Sequence, residues 1–360
     1  MKLYILIFLT AISNLTLFGQ SNGTWTSFWN KDTTLIGYKD ENGVVKIEPK
    51  FTGFTSAGKF ENIIAVAEEI NGSWKNYYLT KQGEIIGRDS LYIFDNTPDC
   101  ESEGFIRFRD KKNDKVGIFN KSGDIVIPAE YNDLTRVRNG MIIALKGAEK
   151  KYWDGGEHYR WIGGRELLID TNNNVLINNF KLSNNLNFFS LAKAASPNSD
   201  TIRKSFLAVD GSHYSFVDFE KEFIQWLKND LYIKLTPEKL INASYGTITW
   251  KSPGGWTKTS REKFITDNFS ILKNSLFEIL QPSCEYFISK GGLNPFMFNG
   301  VEFEKYFNNC GEANESIYPT MTIIITHKNK KDLSQNHYEF LRTDDGYKLI
   351  CVTIRNGEIK

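Results

Sequence analysis

The sequence predicts a mainly β array of hairpin or three-strand repeats, followed by an α+β domain with helices packed on an antiparallel sheet. Three observations carry this expectation. A turn phrase recurs at Gly43, Gly83 and Gly123, 40 residues apart, and again at Asn173. Around each copy, apolar and polar residues alternate with the period of a strand. Beyond about residue 205 the period becomes helical before strands return. The 28 glycines, 9 prolines and 14% aromatic residues fit a turn-rich globular β chain. Forty-four Lys and Arg against 43 Asp and Glu leave a net charge of +1, so no overall field draws the chain to nucleic acid or acidic lipid.

The N-terminus reads as an address. Lys2 precedes the apolar run Leu3 to Ile12, which is too short to span a bilayer comfortably, and Leu17 and Gly19 suit a signal-peptidase site. A leader over 1–19 is therefore expected, with the mature chain periplasmic or extracellular. No cysteine follows the apolar run before Cys100, which predicts no lipid anchor, and no later stretch is apolar enough for an integral span. The four cysteines, Cys100, Cys284, Cys310 and Cys351, are too few for a disulfide scaffold. Either they are buried small hydrophobes or one bridge forms, and Cys284–Cys310 is then the expected pair.

The repeat has a chemical reason. The copies are Asp40-Glu41-Asn42-Gly43, Thr80-Lys81-Gln82-Gly83, Asn120-Lys121-Ser122-Gly123 and Asp170-Thr171-Asn172-Asn173. A type I turn closed by a left-handed residue takes Asp, Asn, Ser or Thr first, to cap the backbone, and Gly or Asn last, to accept positive φ. Five residues before the anchors stand Tyr38, Tyr78, Ile118 and Leu168; two after stand Val45, Ile85, Ile125 and Val175. Each unit is thus a hairpin with one apolar face, joined about 20 residues on by a third apolar run such as Ile63 to Val66. A lone hairpin is marginal in water, so the copies must stack. A solenoid, a sandwich and a partial propeller all satisfy that requirement.

Glycine and an aromatic or aliphatic residue, the turn, β-branched residues, proline and then an aromatic make a phrase that resembles the WG-repeat family of bacterial β proteins. The phrase runs from Gly37-Tyr38 to Pro49-Lys50-Phe51 and from Gly117-Ile118 to Pro128-Ala129-Glu130-Tyr131, with Ile36 and Val116 where the family has Trp. The resemblance covers residues 25 to about 180 and implies a β-repeat scaffold that binds; it carries over no catalytic residue.

Between the third and fourth copies lies KYWDGGEHYRWIGG, residues 151–164. Insertions in repeat proteins tend to fall on the binding face. Tyr152, Trp153, His158, Tyr159 and Trp161 are the ligand-binding candidates, suited to stacking on a sugar; an extended hairpin whose rings pack back on the repeat is the alternative. His158 has no second ligand at metal spacing, so neither metal nor cofactor is expected.

Residues 192–201 read as a linker or loop near a boundary, placing the repeat domain at 20–205 and the α+β domain at 206–360. Phe216, Phe219, Phe223 and Leu227 share one helix face, with Ser215 and Asp218 at capping-box positions. Thr236-Pro237 opens a second helix, Thr259 and Glu262 cap a third that ends at Pro282, and a fourth spans 301–307. Strands then run through Met321, Ile323 and Ile325 and on both sides of the turn Thr343 to Gly346. That order looks like the NTF2-like domains, which set helices against a curved sheet. No nucleophile, phosphate-loop or dinucleotide pattern is present. The chain therefore reads as an exported, non-catalytic binding module whose partner is a cell-envelope glycan or an exported protein. The alternative is a hydrolase-type enzyme with its pocket in the second half, using His327, Asp332 or His337 beside Glu285 or Glu339.

Overall fold

The structure, a computed structural model, describes residues 23–153, 156, 158–181, 183–329, 332–355 and 359. The expected leader at 1–19 and the insertion residues Asp154, Gly155 and Glu157 lie outside the described residues. The chain is mainly β, with 50% strand against 13% helix, in several antiparallel sheets.

At the four repeat corners φ is +80° at Gly43, +90° at Gly83, +87° at Gly123 and +66° at Asn173. In each, the anchor N–H donates to the carbonyl of the first turn residue: Asp40, Thr80, Asn120 or Asp170. The first residue's side chain also caps the turn, as when Asp40 Oδ1 accepts from the Asn42 and Val44 amides at 2.9 Å each. The glycines at the head of copies one and three have a different task. A Cβ on Gly37 would lie 2.5 Å from the Ile47 carbonyl oxygen, and one on Gly117 would lie 2.6 Å from that of Ile127. Both stand where the pairing register shifts, so the backbones close in at a bulge.

Copies one and two share a seven-stranded sheet in the order Lys59–Phe60, Trp25–Trp29, Leu35–Lys39, Val45–Thr52, Ile63–Ile70, Ser73–Thr80 and Ile85–Ile86. Copy three forms a sheet of Phe105–Asp110, Lys115–Asn120 and Ile125–Tyr131. Copy four adds Asp133–Leu134, Met141–Tyr152, Tyr159–Asp170 and Val175–Ile177, and a last sheet holds Leu186–Ala194, His213–Asp218 and Arg203–Leu207 in that order. The third apolar run touches its own unit only briefly, as where Glu68 pairs with Phe51. It opens the next one, as Ile63 to Val66 pair with Thr80 to Tyr77.

The expectation of one apolar face per hairpin is corrected. Ile64, Val66, Tyr77 and Leu79 pack with Tyr38 and Phe51 of copy one, while Ile63, Ala65 and Tyr78 pack with Ile106, Phe108 and Phe119 of copy three. Copy four divides in the same way. Ile142, Ala144, Leu167 and Ile169 face copy three, and Met141, Ile143 and Leu168 face the last sheet. Inner units are covered on both sides, which is why their strands read as unbroken apolar runs.

The 205/206 position falls inside the strand Arg203–Leu207, and the first helix starts only at Phe219. Phe216 and Ser215 belong to the strand His213–Asp218 and not to a helix, because they pair with Lys204 and Ser205; Asp218 alone caps helix α1, Phe219–Trp226. Helices α2, Pro237–Asn242, and α3, Arg261–Glu278, follow, α3 being capped by Ser260 where Thr259 was expected. A 3₁₀ turn occupies Val301–Tyr306. The six-stranded sheet of this half runs Gly255–Ser260, Ser244–Ser252, Gly346–Thr353, Asp332–Thr343, Thr320–Asn329, Glu285–Gly291, and its apolar face buries Phe219, Phe223, Phe264, Leu272 and Leu276. Among the described residues no helix is long and apolar enough to cross a membrane.

Cys310 bonds to Cys100, across 210 residues, and the expected Cys284–Cys310 pair does not form. Cys284 packs at the edge of the helix–sheet core, whereas Cys310 packs against the first repeat sheet, so nearness in sequence misled.

Candidate functional site

Asn308-Asn309-Cys310-Gly311 repeats the turn of the first half. Gly311 has φ +75° and donates to the Asn308 carbonyl, and Asn308 Oδ1 accepts from the Cys310 and Glu312 amides at 2.9 and 3.0 Å. Docked on the repeat array, this turn accepts a backbone hydrogen bond from Lys59 at the Asn309 carbonyl, 2.9 Å, beside the disulfide. Residues 307–317 thereby wall off a cavity of about 1000 Å³ against copies two to four.

An ionic network crosses its floor. Asp99, almost wholly buried, accepts from Arg107 Nη2 at 2.6 Å and Nε at 3.0 Å, and from Arg136 Nε at 2.8 Å. Arg136 also pairs with Glu312, which joins the halves. Burial pushes the Asp99 carboxyl up, but the two guanidiniums outweigh it and hold it at about 2. Burial likewise pushes Glu312 up, but Arg136 outweighs it and leaves the carboxyl below its ordinary value. The Arg107 guanidinium lies 4.0 Å from the centre of the Tyr92 ring, and the Tyr92 hydroxyl donates to Asp133 at 2.9 Å. Glu101 is raised by burial although it accepts from the Asn62 and Ile63 amides at 3.0 Å each.

The insertion is an extended hairpin, with Tyr152 opposite Tyr159 and Lys150 opposite Trp161. Tyr159 meets Tyr152 at a tilt and Trp161 edge-on, with centroids 5.6 and 5.4 Å apart. Lys150 Nζ lies 4.2 Å above Tyr159 and pairs with Asp114. Tyr152, Trp153 and His158 stand exposed at the tip, and Tyr159 is half-buried on the stem. Trp161 alone of the five candidates lines the cavity. Phe94 and Phe189, exposed by 74% and 42%, line it as well.

Sequence reasoning missed the arginines and the 308–311 turn. The signals were there: Arg107 and Arg109 flank buried Phe108, Arg136 and Arg138 flank buried Val137, and Asn308 to Gly311 spells the same Asx-x-x-Gly phrase as the repeats. Elsewhere, His327 Nε2 stands 3.6 Å from Glu278 Oε2 and 3.3 Å from Asn336 Nδ2, and burial lowers His337. Among the described residues no cluster of three or more His, Cys, Asp and Glu is arranged to hold a metal ion.

Residues 117–152 match the family model of the WG containing repeat. The matched WG repeat runs from the Gly117 close approach through copy three to the end of the long strand Met141–Tyr152. It thus includes Arg136, Arg138 and Leu145 of the cavity wall. No curated protein and no solved structure matches the chain.

Proposed function

We propose that this chain is an exported, non-catalytic binding protein: a WG-like repeat scaffold joined to an α+β half, with its ligand held in the cavity between them. The carrying observation is that cavity, closed on one side by a repeat-like turn and lined on the other by WG-repeat residues and Trp161. A cavity of about 1000 Å³ is within the range used for small-molecule recognition. Aromatic ring faces beside carboxylates and amides suit a saccharide, since the rings stack on its apolar face and the polar groups meet its hydroxyls. A cell-envelope glycan is accordingly the proposed ligand, with an exported protein as the other partner class. The leader-like N-terminus and a disulfide joining the halves support export, because oxidising compartments keep such bonds.

The test is a pull-down on peptidoglycan and on envelope polysaccharide with the wild-type chain, Trp161→Ala and Tyr152→Ala/Trp153→Ala. Loss of retention with Trp161→Ala alone supports the cavity. Loss only with the tip variant moves the site to the hairpin end, and equal retention by all three removes both aromatic sites from the proposal.

A hydrolase-type pocket in the second half has one observation in its favour, the His327–Glu278 pair, which could serve as a general base. Turnover of envelope polysaccharide that disappears with His327→Ala would establish it.

A further inference from the structure

We infer that Arg138 binds the carboxylate of an acidic saccharide seated in the inter-domain cavity. This rests on the cavity being the binding site and adds the ligand's charge and class.

Three cations line the wall, Arg107, Arg136 and Arg138, and Lys290 stands near enough to feel Arg138 through space. Of the four, three are matched. Asp99 takes Arg107 and one side of Arg136, and Glu312 takes the other side. Lys290 Nζ pairs with Glu315 at 3.4 Å. Arg138 lines the cavity and feels Glu315 only through space, and among the described residues its guanidinium has no hydrogen-bond acceptor and no carboxylate at ion-pair distance. Burial and the neighbouring Arg136 and Arg107 act against its charge, yet a guanidinium stays protonated in proteins. A half-buried cation with five unused donors facing a cavity is matched to a planar, two-oxygen anion.

The rest of the lining narrows the class. Eight Asp and Glu line the cavity against three Arg. That excess disfavours a dianionic phosphate or sulfate and admits a single carboxylate placed directly on Arg138. Several of these acids are already engaged: Glu101 holds the Asn62 and Ile63 amides, and Glu103 holds those of Asn139 and Gly140. Exposed Glu61 and the asparagines of 308–314 are suited to hydroxyl groups, and Trp161, Phe94 and Phe189 offer ring faces. One carboxylate, several hydroxyls and an apolar ring face together describe a uronate-type sugar. A peptide C-terminus shares the carboxylate but brings no set of hydroxyls.

The experiment is calorimetry on the full chain with four probes: a glucuronyl disaccharide, its methyl ester, the glucosyl analogue and acetyl-alanyl-alanine. The acid is expected to bind about tenfold to a hundredfold tighter than the ester, the range for a hydrogen-bonded charge pair. Arg138→Met should erase that preference at unchanged thermal midpoint, and Arg138→Lys should keep part of it. Trp161→Ala should weaken acid and ester alike. Equal binding of acid and ester by the wild-type chain overturns the role of Arg138 while leaving the cavity as the site. Failure of all three sugars, with Arg138-dependent binding of acetyl-alanyl-alanine, overturns the saccharide class. Failure of all four probes overturns the cavity reading as well.

Discussion

Replacing the disulfide, by Cys100→Ala together with Cys310→Ala, probes how the halves are held. In the chain-entropy treatment, the cross-link removes a loop-closure freedom that grows with the logarithm of the enclosed length. For the 210-residue separation found here this comes to about 5 kcal/mol, at the top of the range seen for native bridges. Beside the bridge, the docked turn is held by Arg136–Glu312, the exposed Lys59–Glu304 pair and the Lys59 amide on Asn309, and nearer the chain crossing Asn185 meets the Phe219 amide and Glu220. An exposed ion pair contributes at most about 1 kcal/mol, so these cannot replace the covalent tie. Urea unfolding followed by circular dichroism is the assay. With a slope of roughly 3 kcal/mol per molar, the midpoint should fall by about 1 to 2 M, and the transition should split as the halves unfold separately. A single transition at the wild-type midpoint, in a protein whose bridge is verified by peptide mapping, would refute the reasoning. So would a map that joins Cys310 to Cys284.

Two further outcomes follow from the same structure. Gly117→Ala should cost about 1–3 kcal/mol by thermal melting, since its Cβ would sit 2.6 Å from both the Ile127 oxygen and the Phe108 ring; an unchanged melting point would mean the bulge opens freely. The Asp99 carboxyl should titrate at about 2 in the folded protein, below its ordinary 3.8. Because that folded value is depressed, its stabilisation of about 2 kcal/mol is complete above the unfolded pKa and is lost as pH falls from about 4 towards 2. Carboxyl-carbon NMR reads the midpoint directly, and a value near 4 would show that Arg107 and Arg136 do not hold the charge.

What the sequence determined was local. A side chain that caps its own turn and a residue that accepts positive φ act over four positions, so the corners at Gly43, Gly83, Gly123 and Asn173, and the β character of what flanks them, were legible from composition and spacing. The cap of α2 at Thr236 was legible for the same reason, whereas the box expected from Ser215 gave way to Asp218 as the cap of α1. Burial on both sheet faces was not, because alternation reports a face without saying what covers the other one. The partner of Cys310 and the matching of Arg136 with Glu312 depend on residues 210 and 176 positions apart, brought together only when 307–317 docks on the repeats. Tertiary structure decided the cavity and left Arg138 open to it, since charge balance in a buried wall is set by distance in space, to which spacing along the chain is blind.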